Sequence, residues 1–301
     1  MIEMIESIGA STIRIASIYM LAATGSNIAE KSGLLNMTIE GNMLMSAFFA
    51  VVFSHLTQNA LIGVLCAVVI GMLYGGGYGL IVIKAKSDQM ISSLALNLFS
   101  AGVTAYFLTV IFGSAGASPR VPAISELSIP LLSKIPVIGK IFFIQSPIVY
   151  IAALTVGAVY YLLKHTKFGV RVIASGENPD AASSVGVNVR KMRYIAIIIA
   201  GALAGLAGAY LSISLSSQFV KNMVAGRGYI ALSTVIIGRH KPVNIALAAI
   251  MFGFCEALQI RLQLLDIPTQ FVQMLPYIVT IIVITFFVGK DDSIAAIGKP
   301  Y

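Results

Sequence analysis

The chain has 301 residues, of which 58% are hydrophobic and 11% charged, and its mean hydropathy is +0.92. Soluble domains carry about 25% charged residues, so this composition excludes an ordinary soluble globule and points to helices that meet lipid. The net charge of +8 sits at the ends of apolar runs without interleaved aromatics, the arrangement of cytoplasmic Lys/Arg in membrane proteins, and no nucleic-acid partner is expected.

A spanning helix takes ~20 apolar residues. About nine membrane segments are predicted, roughly at 8–25, 39–56, 61–83, 89–112, 146–163, 194–216, 226–238, 242–262 and 268–289. The start MIEMIES has no basic n-region and no small-residue cleavage site, so no cleaved signal peptide is expected. The first segment carries Arg14 and is expected to enter the bilayer obliquely. Between segments one and two, SGLLNMTIEGN (32–42) places Glu40 and Asn42 at the opening of a long apolar run. Polar groups there need partners or water, and Gly33 and Gly41 permit sharp backbone geometry. The stretch is either a broken helix beside a translocation path or a helix start whose Glu40 is favoured by the macrodipole.

Segment three carries Gly71-xxx-Gly75-xxx-Gly79; segment six carries Gly201-xxx-Gly205 with Ala204-xxx-Gly208. Such small-xxx-small patterns let helix backbones approach closely, inside one subunit or across a dimer. Cys66 and Cys255 lie in apolar segments and read as packing residues. The long loop 113–145 is Pro-rich, amphipathic and poor in charge.

Lys164–Arg193 is a polar island with six Lys/Arg and two acids between charge-free segments. Within it, Gly176-Glu177-Asn178-Pro179-Asp180-Ala181-Ala182 is a helix-start signal. Asn178 is a good N-cap, Pro179 suits the first helical position and Asp180 the first turn. Gly186 can end that helix. Ala181 and Ala182 offer a small flat face, and Glu177 and Asp180 can reach basic groups on a soluble partner. A length beyond what a turn needs favours docking over a plain connector.

Further on, Ala225-Gly226-Arg227-Gly228-Tyr229 suits a re-entrant turn or an ordinary loop, and 226–238 is short for a span. Asn97, Glu256, Gln259 and Gln263 are polar at membrane depth, the last three on one helix face. They suit either a pathway for a small polar substrate or interhelical hydrogen bonds. With Tyr74, Phe99 and Tyr106 near, a neutral polar ring compound would fit, and Glu256→Ala is expected to alter uptake more than assembly. Lys84/Lys86, the 164–193 loop, Arg239/His240/Lys241 and Lys290 fall on one side if the N-terminus is outside. That side is cytoplasmic, with the C-terminus, and loop 113–145 is extracellular. Segments 39–112 and 226–289 each read as three helices running in opposite senses, as in an inverted repeat. There is no G-x-x-x-x-G-K-[ST] phosphate loop, no H-E-x-x-H and no Cys/His cluster with metal spacing. Neither enzymatic activity, nor a cofactor, nor a metal is expected.

SGLLNMTIEGNML (32–44), GENPDAASSVGVNVRKMRY (176–194) with AGALAGLAGA (200–209), and AGRGYIALSTVIIG (225–238), in that order, resemble the permease subunits of ATP-binding-cassette importers of the branched-chain amino acid and ribose type. Within that group the chain resembles the nucleoside (simple-sugar-like) permeases, and IPLLSKIPVIG (129–139) and MLPYI (274–278) fit that subgroup. The resemblance implies an all-α bundle with inverted halves like the vitamin-B12-type importers, formed by a single transmembrane permease domain over 1–301 in the plasma membrane. It implies that 176–186 is the coupling helix seated in a separate ATPase subunit. It also implies a second permease subunit, a paralogue or an identical copy, and an extracellular substrate-binding lipoprotein. Nucleosides are the expected cargo, with riboflavin or a simple sugar as alternatives. The rival from another class is an ion-coupled secondary transporter using Glu40 or Glu256.

Overall fold

In lipid the backbone has no water to bond to, so charge-free apolar runs close their hydrogen bonds internally as helices. The computed structural model of the protein describes residues 2–128, 138–263, 274, 278–282, 285 and 294–298, and these are mostly helical. Helix α1 (Ile2–Lys31) is one continuous 30-residue rod, longer than the predicted 8–25. Arg14 lowers hydropathy without breaking a helix, and its guanidinium is held by Glu126 at 2.6 Å and Gln145 at 2.9 Å. After a break, α2 (Ile39–Thr57) leads to α3 (Ala60–Gly79), which Asn59 caps by accepting from the Leu61 N–H. A π-helical turn, Leu80–Lys84, extends α3. Next comes α4 (Gln89–Phe112), capped by Asp88 and ended by Gly113.

The loop predicted over 113–145 holds local structure: β1 (Leu127–Ser128), α5 (Ile138–Phe142) and β2 (Ile144–Gln145), with β1 antiparallel to β2. Helix α6 (Pro147–His165) follows. The predicted polar loop 164–193 is itself mostly helix: α7 (Lys167–Glu177), α8 (Pro179–Ser184) and the start of α9 (Val189–Ala209), which a π turn extends over Tyr210–Ser216. The glycines of KFGVRVIASGE hide α7 in a propensity reading, because glycine costs about 1 kcal/mol in a helix interior. Gly169 and Gly176 are instead close-approach positions, where a β-carbon would run into the backbone of Leu162–Leu163 and of Lys31 respectively. The chain continues through α10 (Arg227–Ile237) to α11 (Pro242–Leu262).

Among the described residues six helices are long and apolar enough to cross a membrane: α2, α3 with its extension, α4, α6, α9 with its extension, and α11. The eleven residues of α10 rise about 16 Å, against a hydrocarbon core of about 30 Å. Most of the predicted segment 268–289 lies outside the described residues; 278–282 are helical. The spanning windows of α2 and α9 are each 72% buried and form the centre of the bundle, whereas α3, α4 and α6 keep most of their surface outward. Leu65, Leu73, Leu98, Tyr106 and Leu154 are exposed on those outer helices.

Close packing of small residues, rather than burial from water, holds helices together in lipid. A β-carbon at Gly71 would overlap the Gly201 carbonyl, one at Gly75 the Ile197 carbonyl, one at Gly205 the Ala67 carbonyl and one at Gly208 the Met43 carbonyl. Each of these glycines brings α9 against α2 or α3 within the one subunit.

Candidate functional site

The break between α1 and α2 is buried rather than solvated: Ser32, Leu34, Asn36 and Thr38 are all 3% exposed or less. Its polar groups are met by neighbours. Leu35 N–H donates to Gln89 Oε1 at 2.6 Å, Tyr78 O–H donates to the Leu35 carbonyl at 2.6 Å, and Thr38 donates to Asn36 Oδ1. The break delivers Glu40, in the first turn of α2, to the start of α10. There its two carboxylate oxygens accept from the Gly226 and Gly228 N–H groups, each at 2.8 Å. Gly226 has φ +86°, and a β-carbon on Gly228 would stand 2.6 Å from the Glu40 backbone. Both glycines are needed for the carboxylate to approach. Glu40 thus stands at the positive ends of two helices, in the first turn of α2 and against the start of α10.

Arg227, between those glycines, points to α11. Its Nε and Nη2 donate to Glu256 Oε1 at 3.0 and 2.5 Å, while Tyr19 of α1 donates to Glu256 Oε2. Asn97 of α4 accepts from the Gly41 N–H at 2.9 Å and donates to the Met37 carbonyl and the Tyr229 hydroxyl, both at 3.0 Å. Asn42 donates to the Gly71 carbonyl and accepts from Ser46. Six helices are therefore tied at one polar junction, and its acids and amides find partners inside the subunit.

The three residues read as one polar face of α11 differ in exposure: Glu256 is buried and ion-paired, Gln259 half-buried, and Gln263 exposed at the helix end. The aromatics differ too. Tyr74 donates to the Leu96 carbonyl and accepts from Ser100, whereas Phe99 and Tyr106 face outward. Sequence reasoning missed Arg227, Tyr19 and Tyr229 as members of the junction. The available signal was a lone arginine bracketed by glycines at the head of an apolar run.

At the far end of α1, Asn178 accepts from the Ala181 N–H at 3.0 Å, and Pro179 and Asp180 fill the first turn of α8. Gly186, at φ +84°, closes it. Its N–H donates to the Ser183 carbonyl, and the Val187 N–H donates to that of Ala182, the pairing of a Schellman ending. Glu177, Asp180, Ala181 and Val185 are exposed. Ala182 is not part of that face: it is 4% exposed and turned inward, so the outward apolar surface is Ala181 with Val185.

Gly176 is buried against Lys31 and Gly33, and its carbonyl accepts from the Ala296 N–H. Gly298 N–H donates to the Gly33 carbonyl, and the buried Arg193 donates through Nε to the Ser32 carbonyl. Arg193 had counted only as a surface charge of the polar island. It instead joins the start of α9 to the α1–α2 break that leads to Glu40. Among the described residues no group of three His, Cys, Asp or Glu side chains could hold a metal.

The family described as "Branched-chain amino acid transport system / permease component" matches residues 9–284. The guanosine ABC transporter permease protein NupQ of Bacillus subtilis (strain 168) is 33% identical, over 100% of this chain and 98% of its own. The nucleoside ABC transporter permease protein NupC of Lactococcus lactis subsp. cremoris is 32% identical over the same shares. A putative glucose ABC transporter permease protein, TsgC13 of Haloferax volcanii, is 31% identical over 94% of this chain and 92% of its own. No solved structure matches. Apolar helices of spanning length and likeness along its whole length place it in that family, as the multi-pass, non-enzymatic permease subunit of an ATP-binding-cassette importer.

Proposed function

We propose that this permease carries nucleosides into the cell across the plasma membrane. The observation that carries the cargo is the full-length likeness to a guanosine and a nucleoside permease, at 33% and 32% identity. A simple sugar is the second reading, favoured by the 31% identity to the putative glucose permease.

The segment Gly176–Gly186 is the coupling element. Its exposed Glu177, Asp180, Ala181 and Val185 enter a cleft of the ATPase, and buried Gly176 passes the push to the α1–α2 break. Alternating access needs two states whose balance the ATPase biases, and a segment packed on that break at Gly33, and tied to it through Ala296 and Gly298, is suited to transmit it. The N-terminus lies outside and the C-terminus in the cytoplasm, in a single domain of about nine segments with inverted halves. The meeting of the α2 and α10 starts at Glu40 supports the pairing of those halves. The partners are a second permease, sought first as a paralogue, and a lipoprotein receptor outside.

Gln259 and Gln263 contact the cargo, while Glu40, Asn42, Asn97 and Glu256 shape the path from within the junction. Acids so fully engaged are poor sites for a driving ion, which argues against ion-coupled transport. The test is uptake of labelled purine and pyrimidine nucleosides by cells with and without the gene, with riboflavin and ribose as controls. Loss of nucleoside uptake alone is expected. Loss of a control compound with nucleoside uptake intact overturns the cargo.

A further inference from the structure

A cavity of about 330 Å³ opens where α1 and α6 end and α11 begins. Lys31, Lys164, His240 and Lys241 stand in its walls beside Tyr160 and Val243. Lys164 and Lys241, two lysines around one small cavity, repel one another unless an anion lies between them. The Lys164 ammonium is steadied from one side only, donating to the Tyr160 hydroxyl at 2.9 Å. Glu30 lies behind His240, 3.5 Å from its Nδ1, and is not part of the lining. His240 and the preceding Arg239 both adopt left-handed backbone, with φ +54° and +50°. Such conformations cost of order 1 kcal/mol or more in non-glycine residues, and here they set His240 and Lys241 at the cavity edge.

The cavity adjoins an outward apolar strip. Val243, Leu247, Ile250 and Phe254 follow one another at helical spacing along α11, each exposed. A basic recess at the membrane end of a helix bundle, continuous with an apolar strip, matches a molecule with a phosphate at one end and acyl chains at the other. We propose that this cavity binds the phosphate of an anionic phospholipid, whose acyl chain lies along α11. Each lysine near a membrane surface is worth about a five-fold factor in such binding, so losing two weakens it about 30-fold. No residue of the polar junction or of α8 lines the cavity, and its occupancy does not depend on the cargo.

The experiment uses the assembled importer in vesicles of equal phosphatidylglycerol and phosphatidylcholine, extracted in mild detergent and weighed by native mass spectrometry. The wild-type complex is expected to retain phosphatidylglycerol in preference to phosphatidylcholine. Lys164→Gln with Lys241→Gln should lose that preference about 30-fold, and Lys241→Gln alone about five-fold if the double variant does not assemble. The same charge change at exposed Lys84 and Lys86, Lys84→Gln with Lys86→Gln, should leave it intact. Inorganic phosphate at millimolar concentration should not displace the lipid. Equal retention of both lipids, or equal loss in the Lys84/Lys86 control, overturns the site. Displacement by inorganic phosphate overturns the lipid and assigns a free anion instead.

Discussion

Glu256 is expected to matter for assembly first, and a double-mutant cycle with Arg227 measures why. The Glu256 carboxylate takes two guanidinium bonds on one oxygen and the Tyr19 hydroxyl on the other. Replacing it with leucine leaves Arg227 charged and unpaired. Breaking a buried pair costs about 3–5 kcal/mol. The Arg227 side chain is 25% exposed, which sets the figure near the lower bound, about 3 kcal/mol. Tyr19, 1% exposed, loses its acceptor, adding about 1 kcal/mol. Arg227→Met alone strands the carboxylate instead, at about 3 kcal/mol. Removing both charges, Arg227→Met with Glu256→Leu, leaves chiefly the Tyr19 loss, about 1 kcal/mol. At roughly 3 °C per kcal/mol, each single variant melts about 10 °C below wild type and the double variant about 3 °C below, read by thermal size-exclusion of the purified importer. A double variant whose loss equals the sum of the two single losses would refute the reasoning. The sequence alone suggested that Glu256→Ala would alter uptake more than assembly; the partner 29 residues away is not visible in it.

Gly71→Leu should abolish stable expression, because the side chain meets the Gly201 backbone, while Gly77→Leu, with open space around it, should express normally by fluorescence of a tagged chain. Asn97→Leu strips the Gly41 N–H and the Met37 carbonyl of their partner. It should destabilise the subunit by about 2 kcal/mol or more, measured as the same thermal midpoint. Glu177→Lys with Asp180→Lys should abolish co-purification of the ATPase and leave membrane insertion unchanged. Gly186→Pro should do the same, since proline cannot adopt φ +84° or supply the N–H held by Ser183; full ATPase recovery with either variant would sink the docking assignment.

The apolar helices and their order were legible because lipid imposes a local rule: a long run without charge becomes a helix. The start and end of α8 were legible for a similar reason, since Asn178, Pro179 and Gly186 each act within four residues of their own position. What the sequence hid is non-local. Glu40 bonds amides 186 and 188 residues away, and Tyr19 reaches an acid 237 residues on; no periodicity records such pairs. Arg193 and His240 looked like surface charge because they lie in basic stretches, yet both are drawn inward, to the Ser32 carbonyl and to Glu30. Helix α7 was hidden by glycines that serve packing rather than flexibility.

The most direct test of the central claim is accumulation of labelled guanosine in proteoliposomes holding this permease, its partner permease, the ATPase and the receptor. The account predicts uphill accumulation that requires ATP, persists when ionophores collapse every ion gradient, and is competed by other nucleosides. Accumulation driven by an ion gradient without the ATPase, or ATP-dependent accumulation of ribose but not guanosine, would contradict it.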